Sequence, residues 1–514
     1  MTPFLSGTSL NCDIVISHFA GSGLKAEEPT RYSFLEKFRA IQIALTFRDV
    51  VILPGRAEVE PSEVDVRTRV TKRHHLNIPF VSSPMDTVTE SEMAIAIARQ
   101  GGLGVIHRNC SVEEQVEMTK RVKRAEALII RDVVTVTPTD MVGQAIALME
   151  KHNISGLPVV ENTRLVGIVT GRDVRFAQPS LLVNQVMTKN VVRAEEGIGI
   201  EDAQRLLRDH KIEKLPIVNK AGELTGLITF KDILLRGKYP DAARDENGQL
   251  LCAAAVSPFD LQRAKKLDEY ADILVIDVAH FHNANVFQAT KKLMSEVSSE
   301  LVVGNIGTYE AAEDVFTELD GVSGLRVGIG SGSICTTTEM MKAGSPTLFA
   351  TAQVAEAAAK YGAYIPIIAD GGIRTPGDVA IALAAGASAV MIGNLLARCR
   401  ESPGTLITIG GRYYKQYRGM GSASARSKRY SLDRYSMPAK GVTEGVEGWV
   451  PYKGEANIVL DELVSGLRAS MGYAGARNVE ELWRKARLAA LSPSGVEEAR
   501  PHDILLPSEG PERV

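Results

Sequence analysis

Several things are scarce in this sequence. Aromatic residues make up 5% of its 514 positions, with only two tryptophans, little material for a platform on which nucleic-acid bases could stack. Lysine and arginine (59) nearly balance aspartate and glutamate (62), for a formal charge of -3, so no positive excess calls for a nucleic-acid or anionic-membrane partner. No apolar run approaches the length of a membrane span, and Asp13, Ser17 and His18 interrupt the one N-terminal stretch that could resemble a leader. We therefore expect neither nucleic acid nor membrane as a partner. Cysteine is scarce too: Cys12, Cys110, Cys252, Cys335 and Cys399 are scattered, odd in number and without C-x-x-C spacing. That argues against a disulfide framework and a zinc site, and for a reducing, cytoplasmic setting.

Glycine, by contrast, is abundant at 45 residues, in a chain 45% hydrophobic and 24% charged. Glycine suits tight strand-to-helix turns, and 514 residues suffice for one large domain with a smaller one attached. The combination favours an α/β enzyme.

An internal repeat interrupts the chain. Ile154-Ser155-Gly156-Leu157-Pro158-Val159-Val160, followed by Leu165 to Asp173, is echoed by Ile212-Glu213-Lys214-Leu215-Pro216-Ile217-Val218 and Leu224 to Asp232. Each copy places an amphipathic helix first (Met141 to His152; Ile200 to His210), then two short apolar strands, then a helix opening at Thr-x-x-Asp. The copies resemble a tandem pair of CBS modules over residues 124–237, divided as 124–178 and 181–237. A hydroxyl and a carboxylate at a helix start can hold a ribose, so Thr170, Asp173, Thr229 and Asp232 are candidates for an adenine or guanine nucleotide; the same four are also good helix caps.

Around the repeat, apolar strands alternate with helices: strands at Asp272 to Asp277, Leu301 to Asn305, Leu325 to Gly328, Ile365 to Asp370 and Ala389 to Gly393, with helices between them. Short loops and this alternation predict a parallel sheet, barrel or doubly wound. Residues 45–122 have the same character and are the first units of the same sheet. Polar residues cluster just after the strands, where either fold builds its active-site face.

The richest of those loops is Val327-Gly328-Ile329-Gly330-Ser331-Gly332-Ser333-Ile334-Cys335-Thr336-Thr337. Small residues let backbone approach a ligand or ion, and the loop delivers a cysteine to the end of a strand. Alone, it reads equally as a nucleophile's loop or as a phosphate-gripping loop in which Cys335 is a small filler.

With Ser82-Ser83-Pro84-Met85-Asp86-Thr87-Val88, Ile368-Ala369-Asp370-Gly371-Gly372-Ile373, Tyr417-Arg418-Gly419-Met420-Gly421-Ser422 and Glu444-Gly445-Val446-Glu447-Gly448, that loop resembles the motif set of the inosine-monophosphate dehydrogenases, in the family's order. The resemblance implies a (β/α)8 barrel divided as 31–123 and 238–490 around the CBS pair, with a mobile flap over about 422–448, an unassigned extension over 1–30 and a tail over 491–514. It implies oxidation of IMP to XMP with NAD through a covalent bond to Cys335, aided by Thr337 and, for hydrolysis, by Arg434 and Tyr435 of the flap. Asp370 would take the ribose, and Ser333 with Gly371, Gly372, Gly393 and Asn394 the phosphate. Ser83, Tyr417, Arg418, Gly419, Met420, Gly421 and Glu444 would complete the nucleotide pocket. NAD falls to Asp277, Gly328, Ile329 and Gly330, and a potassium ion to the carbonyls of Gly330, Gly332 and Cys335. A homotetramer, with an octamer as its doubled form through the CBS modules, is implied as well.

Asp277-Val278-Ala279-His280-Phe281-His282 departs from the commoner pattern at Val278 and Phe281. His280 and His282 lack the nearby carboxylate and third ligand of a metal site. The rival readings are a GMP reductase using NADPH, against which the Arg434-Tyr435 flap, the Tyr417 to Gly421 motif and the CBS insertion weigh, and a silent nucleotide sensor, against which Cys335, Asp370 and Arg434 weigh.

Overall fold

The computed structural model describes residue 37 and residues 39–126, 129–131, 133–362, 364–428, 430 and 443–503. The chain divides at Ala44 into two units; few residues of the first are described, and the architecture lies in the second, Leu45–Val514.

Eight strands close a barrel: β1 (Phe80–Ser82), β2 (Leu103–Ile106), β3 (Cys252–Val256), β4 (Ile273–Ile276), β5 (Glu300–Ile306), β6 (Gly324–Val327), β7 (Ile367–Asp370) and β8 (Ala389–Ile392). Each pairs in parallel with its neighbour, and β8 returns to β1. Strands covered on both faces need no polar alternation, and almost every residue of these eight is buried. That is why they read as short apolar runs. Packing is close where small residues meet: a Cβ on Gly104 of β2 would stand 2.4 Å from Ala94 Cα, so helix Ser91–Arg99 rests directly on the sheet.

Local signals fix where the helices begin. Thr308 Oγ1 accepts from the Ala311 amide ahead of Tyr309–Glu318. Thr375 and Asp378 form a reciprocal capping box at Pro376–Ala384, with proline in the first turn. Loss of such a cap costs about 1 kcal/mol. At the other end of the unit, Arg487–Ala490 pairs antiparallel with Val50–Leu53, so residues assigned to the barrel's last stretch close onto its first.

Between helix Val112–Arg124 and β3 lies the insertion. Its first half carries helix Val142–His152, the hairpin Gly156–Glu161 with Arg164–Thr170, and helix Gly171–Val174. Its second repeats this as Ile200–Asp209, Lys214–Val218 with Leu224–Thr229, and Phe230–Lys238. In the second, Ala194–Glu195 adds a parallel third strand, matched in the first by a single bridge, Val136 to Val159. The buried Glu126, where the chain enters the insertion, pairs with Arg99 of the barrel and with Arg244, where the chain returns, at 2.8 Å.

A three-stranded antiparallel sheet, Leu406–Ile409, Arg412–Arg418 and Glu447–Pro451, follows β8. Sequence patterning did not announce it. It carries Tyr417 and Met420 to the barrel mouth and ties them to the segment bearing Glu444.

Candidate active site

The C-terminal ends of β1, β5, β6, β7 and β8 surround a cavity of about 730 Å³, within the usual size of a small-molecule site. Ser83, Gly328 to Cys335, Thr337, Asp370 to Gly372, Gly393, Asn394, Tyr417, Gly419 to Gly421 and Glu444 line it. Each of the five motifs, from distant parts of the sequence, therefore contributes to one place.

Cys335 is the half-buried cysteine of the loop, whereas Cys110, Cys252 and Cys399 are fully buried, and burial pushes each of their thiols up to about 12. Those three stay protonated at neutral pH and are poor nucleophiles. Cys335 Sγ lies 3.3 Å from Thr337 Oγ1, and that hydroxyl donates to Glu444 Oε2 at 2.7 Å. Thiol, hydroxyl and carboxylate thus form a chain along which a proton can move. Bridging bonds from Thr336 N to Glu444 O (3.3 Å) and from Val446 N to Ile334 O (3.0 Å) fasten the cysteine loop to the Glu444 segment. The loop needs its glycines: Gly330 has φ +85°, and a Cβ there would fall 1.9 Å from Thr338 Oγ1.

Asp370 stands at the end of β7. Its Oδ2 accepts from Asn305 Nδ2 and Arg326 Nε, both at 2.9 Å, while Oδ1 has no partner among the described residues. One carboxylate oxygen is held by protein and the other is available to hydroxyl donors in the cavity. Gly371 and Gly372 follow with φ of +95° and +83°. Asn394 Nδ2 donates to Ser333 Oγ at 3.2 Å, and a Cβ on Gly393 would meet Tyr417 Oη at 2.9 Å and Ser83 Oγ at 3.4 Å. This is a small cradle of hydroxyl and amide donors. Burial pushes the Tyr417 phenol up to about 12, so it remains a donor.

Two expected pocket residues are placed elsewhere. Asp277 does not line the cavity; its carboxylate, 1% exposed, pairs with Arg326 Nη1 at 2.9 Å and Arg108 Nε at 3.6 Å. Two buried guanidinium groups outcompete solvent for it, and Ala279 forms the wall nearby. Arg418 also turns away from the cavity: its guanidinium binds both oxygens of Asp86, Nε at 3.0 Å, and its amide donates to Thr87 Oγ1 at 3.2 Å. Its side chain clamps the loop onto Asp86. Arg434 and Tyr435 lie outside the described residues. In the insertion, the amide and hydroxyl of Thr170 both donate to Asp173 Oδ2 at 2.7 Å, and the Thr229 hydroxyl donates to Asp232. Asp173 thereby caps the Thr170 amide, and Thr229 Oγ1 caps its own helix by accepting from the Asp232 amide at 3.2 Å.

Asn305, at a strand end, lines the site, as do Arg326 and Arg398, which were not among the expected residues. The signal for Arg326 was a lone arginine inside an otherwise apolar strand, which burial must pair with carboxylates. Among the described residues no group of three histidine, cysteine or acidic side chains could hold a metal ion, and no helix is long and apolar enough to cross a membrane.

Residues 44–502 match the family model described as the IMP dehydrogenase / GMP reductase domain. Curated relatives named inosine-5'-monophosphate dehydrogenase include that of Korarchaeum cryptofilum, 56% identical over 90% of this chain and 97% of the relative. Those of Thermoplasma acidophilum and Methanocaldococcus jannaschii are 50% and 51% identical over 93% of this chain, and 98% and 99% of their own lengths. Among solved structures, a GMP reductase from Trypanosoma brucei, a cysteine-to-alanine variant in complex with guanosine 5'-monophosphate, superposes with a TM-score of 0.83 at 37% identity, covering 91% of this chain and all of that one. With the barrel, the cysteine loop and the cavity described above, these similarities establish that the chain belongs to the IMP dehydrogenase / GMP reductase family.

Proposed function

We propose that this chain oxidises IMP to XMP with NAD⁺ through a covalent bond to Cys335. The observation that carries the reading is that the Cys335–Thr337–Glu444 chain and the Ser333, Gly393, Asn394 and Tyr417 cradle line one cavity. A nucleotide with its phosphate in the cradle and its ribose on Asp370 extends its base toward the thiol.

Cys335 Sγ, its proton passed to Thr337 and Glu444, adds to C2 of the purine. The adduct expels the C2 hydride, and a thioimidate between Cys335 and C2 remains. Bound NAD⁺ supplies the hydride acceptor. Water then adds to C2, the C–S bond breaks with return of a proton to sulfur, and XMP leaves. Water needs a base. Glu444 reaches the site through Thr337, and Arg434 and Tyr435 are the further candidates that the family resemblance supplies. Gly328, Ile329 and Gly330, which line the cavity beside Cys335, are assigned to NAD⁺. Asp277 supports that region indirectly, by holding Arg326.

A potassium ion fits the cysteine loop in part. The carbonyls of Gly330 and Cys335 accept no backbone N–H among the described residues, and Gly332 O accepts only Cys335 N, at 3.0 Å, which leaves it a lone pair. Backbone carbonyls of this kind replace an ion's hydration shell; three of them leave the rest of the shell to other donors. The repeats are assigned as CBS modules binding a purine nucleotide at Thr170, Asp173, Thr229 and Asp232, for which those caps would have to open. A related Trypanosoma brucei GMP reductase was solved in complex with guanosine 5'-triphosphate (33% identity, TM-score 0.74). A cytoplasmic homotetramer, with an octamer as its doubled form, completes the proposal.

GMP reductase is the second reading, because solved structures that this chain resembles include ones that carry that name. The insertion does not separate the two activities as expected: a reductase match over 91% of this chain leaves no room to omit it. The purified chain is to be tested with IMP, NAD⁺ and potassium, in parallel with GMP and NADPH, and with Cys335→Ala in both. Cys335-dependent NADH and XMP support the dehydrogenase. NADPH consumption with GMP supports the reductase, and nucleotide binding with neither turnover supports a sensor.

A further inference from the structure

Four arginines line the cavity: Arg48, Arg326, Arg374 and Arg398. Their charges are not equally available. Arg326 is neutralised between Asp277 and Asp370, each at 2.9 Å, and Arg374 pairs with Asp378 at 3.2 Å. Arg48 is solvent-exposed. Arg398 is half-buried and makes no ion pair among the described residues.

It is nevertheless held in place. Arg398 follows the short helix Asn394–Ala397, one turn after Asn394, and its Nε donates to Asn394 Oδ1 at 3.0 Å. The Asn394 amide in turn donates to Ser333 Oγ at 3.2 Å. The guanidinium also acts on the Tyr417 phenol, drawing it downward against the larger effect of burial. Ser333, Asn394 and Tyr417 are neutral donors, so Arg398 is the group that gives this end of the cavity a positive charge.

We propose that Arg398 is a specificity-determining residue that makes the site demand a phosphate monoester, distinguishing a nucleoside 5'-phosphate from the bare nucleoside. This rests on the reading of the cavity as an IMP site. A partly desolvated guanidinium left without a carboxylate is compensated when an anion arrives, and charge-assisted hydrogen bonds are about twice as strong as neutral ones. The other donors orient the phosphate; Arg398 supplies the charge that an uncharged ribose hydroxyl cannot match. Because the contact is made equally before and after chemistry at C2, its loss weakens binding more than turnover.

The test compares wild type with Arg398→Gln and Arg398→Lys, using IMP and inosine as substrates and inorganic phosphate as inhibitor. The expected result for Arg398→Gln is a KM for IMP raised about tenfold to a hundredfold and a much smaller change in kcat. The advantage of IMP over inosine in kcat/KM shrinks by the same factor, phosphate loses its competition with IMP, and Arg398→Lys restores part of each effect. An unchanged ratio of IMP to inosine in Arg398→Gln overturns the proposal, as does an equal loss on both substrates, which marks a structural role. Should Arg398→Gln not fold, Arg398→Lys and wild-type inhibition decide: an unchanged ratio in the lysine variant, or phosphate inhibition that IMP does not relieve, overturns it. If wild type neither binds nor oxidises IMP, the reading of the site itself fails, and that result is distinct from a wild type that prefers IMP through some other group.

Discussion

Among the side chains of the cavity, Glu444 and Asp277 illustrate two different uses of a carboxylate. Glu444 accepts from Thr337 beside the thiol, so its removal is expected to impair proton transfer rather than binding. Glu444→Gln should lower kcat about a hundredfold or more with a KM for IMP changed only a few-fold, as steady-state kinetics will show. Asp277 instead neutralises buried arginines. Asp277→Ala strands those charges, and breaking a buried pair from one side costs about 3–5 kcal/mol, so a lowered denaturation midpoint is expected, with a raised KM for IMP as Arg326 loses its hold beside Asp370. The motif cysteine and Asp370 were legible in the sequence because their glycine-rich surroundings mark backbone that approaches a ligand. The pairing of Asp277 with Arg108 and Arg326 was not legible, because those arginines are distant from it in sequence. Arg398 gave no signal at all, since an arginine after a short helix looks like solvated surface.

Among the elements, the loops at strand ends set the shape of the site. Gly393 leaves the space that Tyr417 and Ser83 surround, so Gly393→Ala should place a methyl group where a phosphate oxygen is needed and raise the KM for IMP with little change in melting temperature. The Tyr417 to Gly421 loop is held by Arg418 on Asp86. Burial of Asp86 raises its pKa, but hydrogen bonds from Arg418 and Asn109 and the charge of Arg418 outweigh it, and the net shift is downward. A folded pKa below the unfolded value near 3.9 means that the pair stabilises the fold above that pH and loses its contribution as pH falls through the folded pKa. Thermal midpoints measured as pH falls through and below about 4 should therefore drop less steeply in Asp86→Asn than in wild type; parallel curves would exclude this clamp. The five barrel strands β4 to β8 were legible to within about two residues because continuous apolar runs are a strong signal. The sheet built from Leu406–Ile409, Arg412–Arg418 and Glu447–Pro451 was not, since its strands are half exposed and lack clean alternation.

In the whole molecule, a barrel and a duplicated insertion divide the labour. β2 and β3 flank the insertion yet pair directly, and Glu126 joins its two ends through Arg244. Barrel closure therefore does not depend on what lies between. Replacement of residues 129–237 by a short flexible linker should leave a folded protein with IMP-dependent NADH formation, and loss of both would show the insertion to be integral to the barrel. The repeat was evident from sequence alone because two copies reinforce one another; what they bind was not, because the Thr-x-x-Asp pairs that would hold a ribose also bond to each other at their helix starts. The central claim concerns covalent chemistry at one sulfur, and the most direct measurement is the intact mass of the protein quenched during turnover of IMP with NAD⁺, followed by peptide mapping. Expected is a nucleotide adduct on the peptide containing Cys335 in wild type, lacking in Cys335→Ala. NADH formation from IMP with no adduct on Cys335 in wild type, or with undiminished rate in Cys335→Ala, would contradict it.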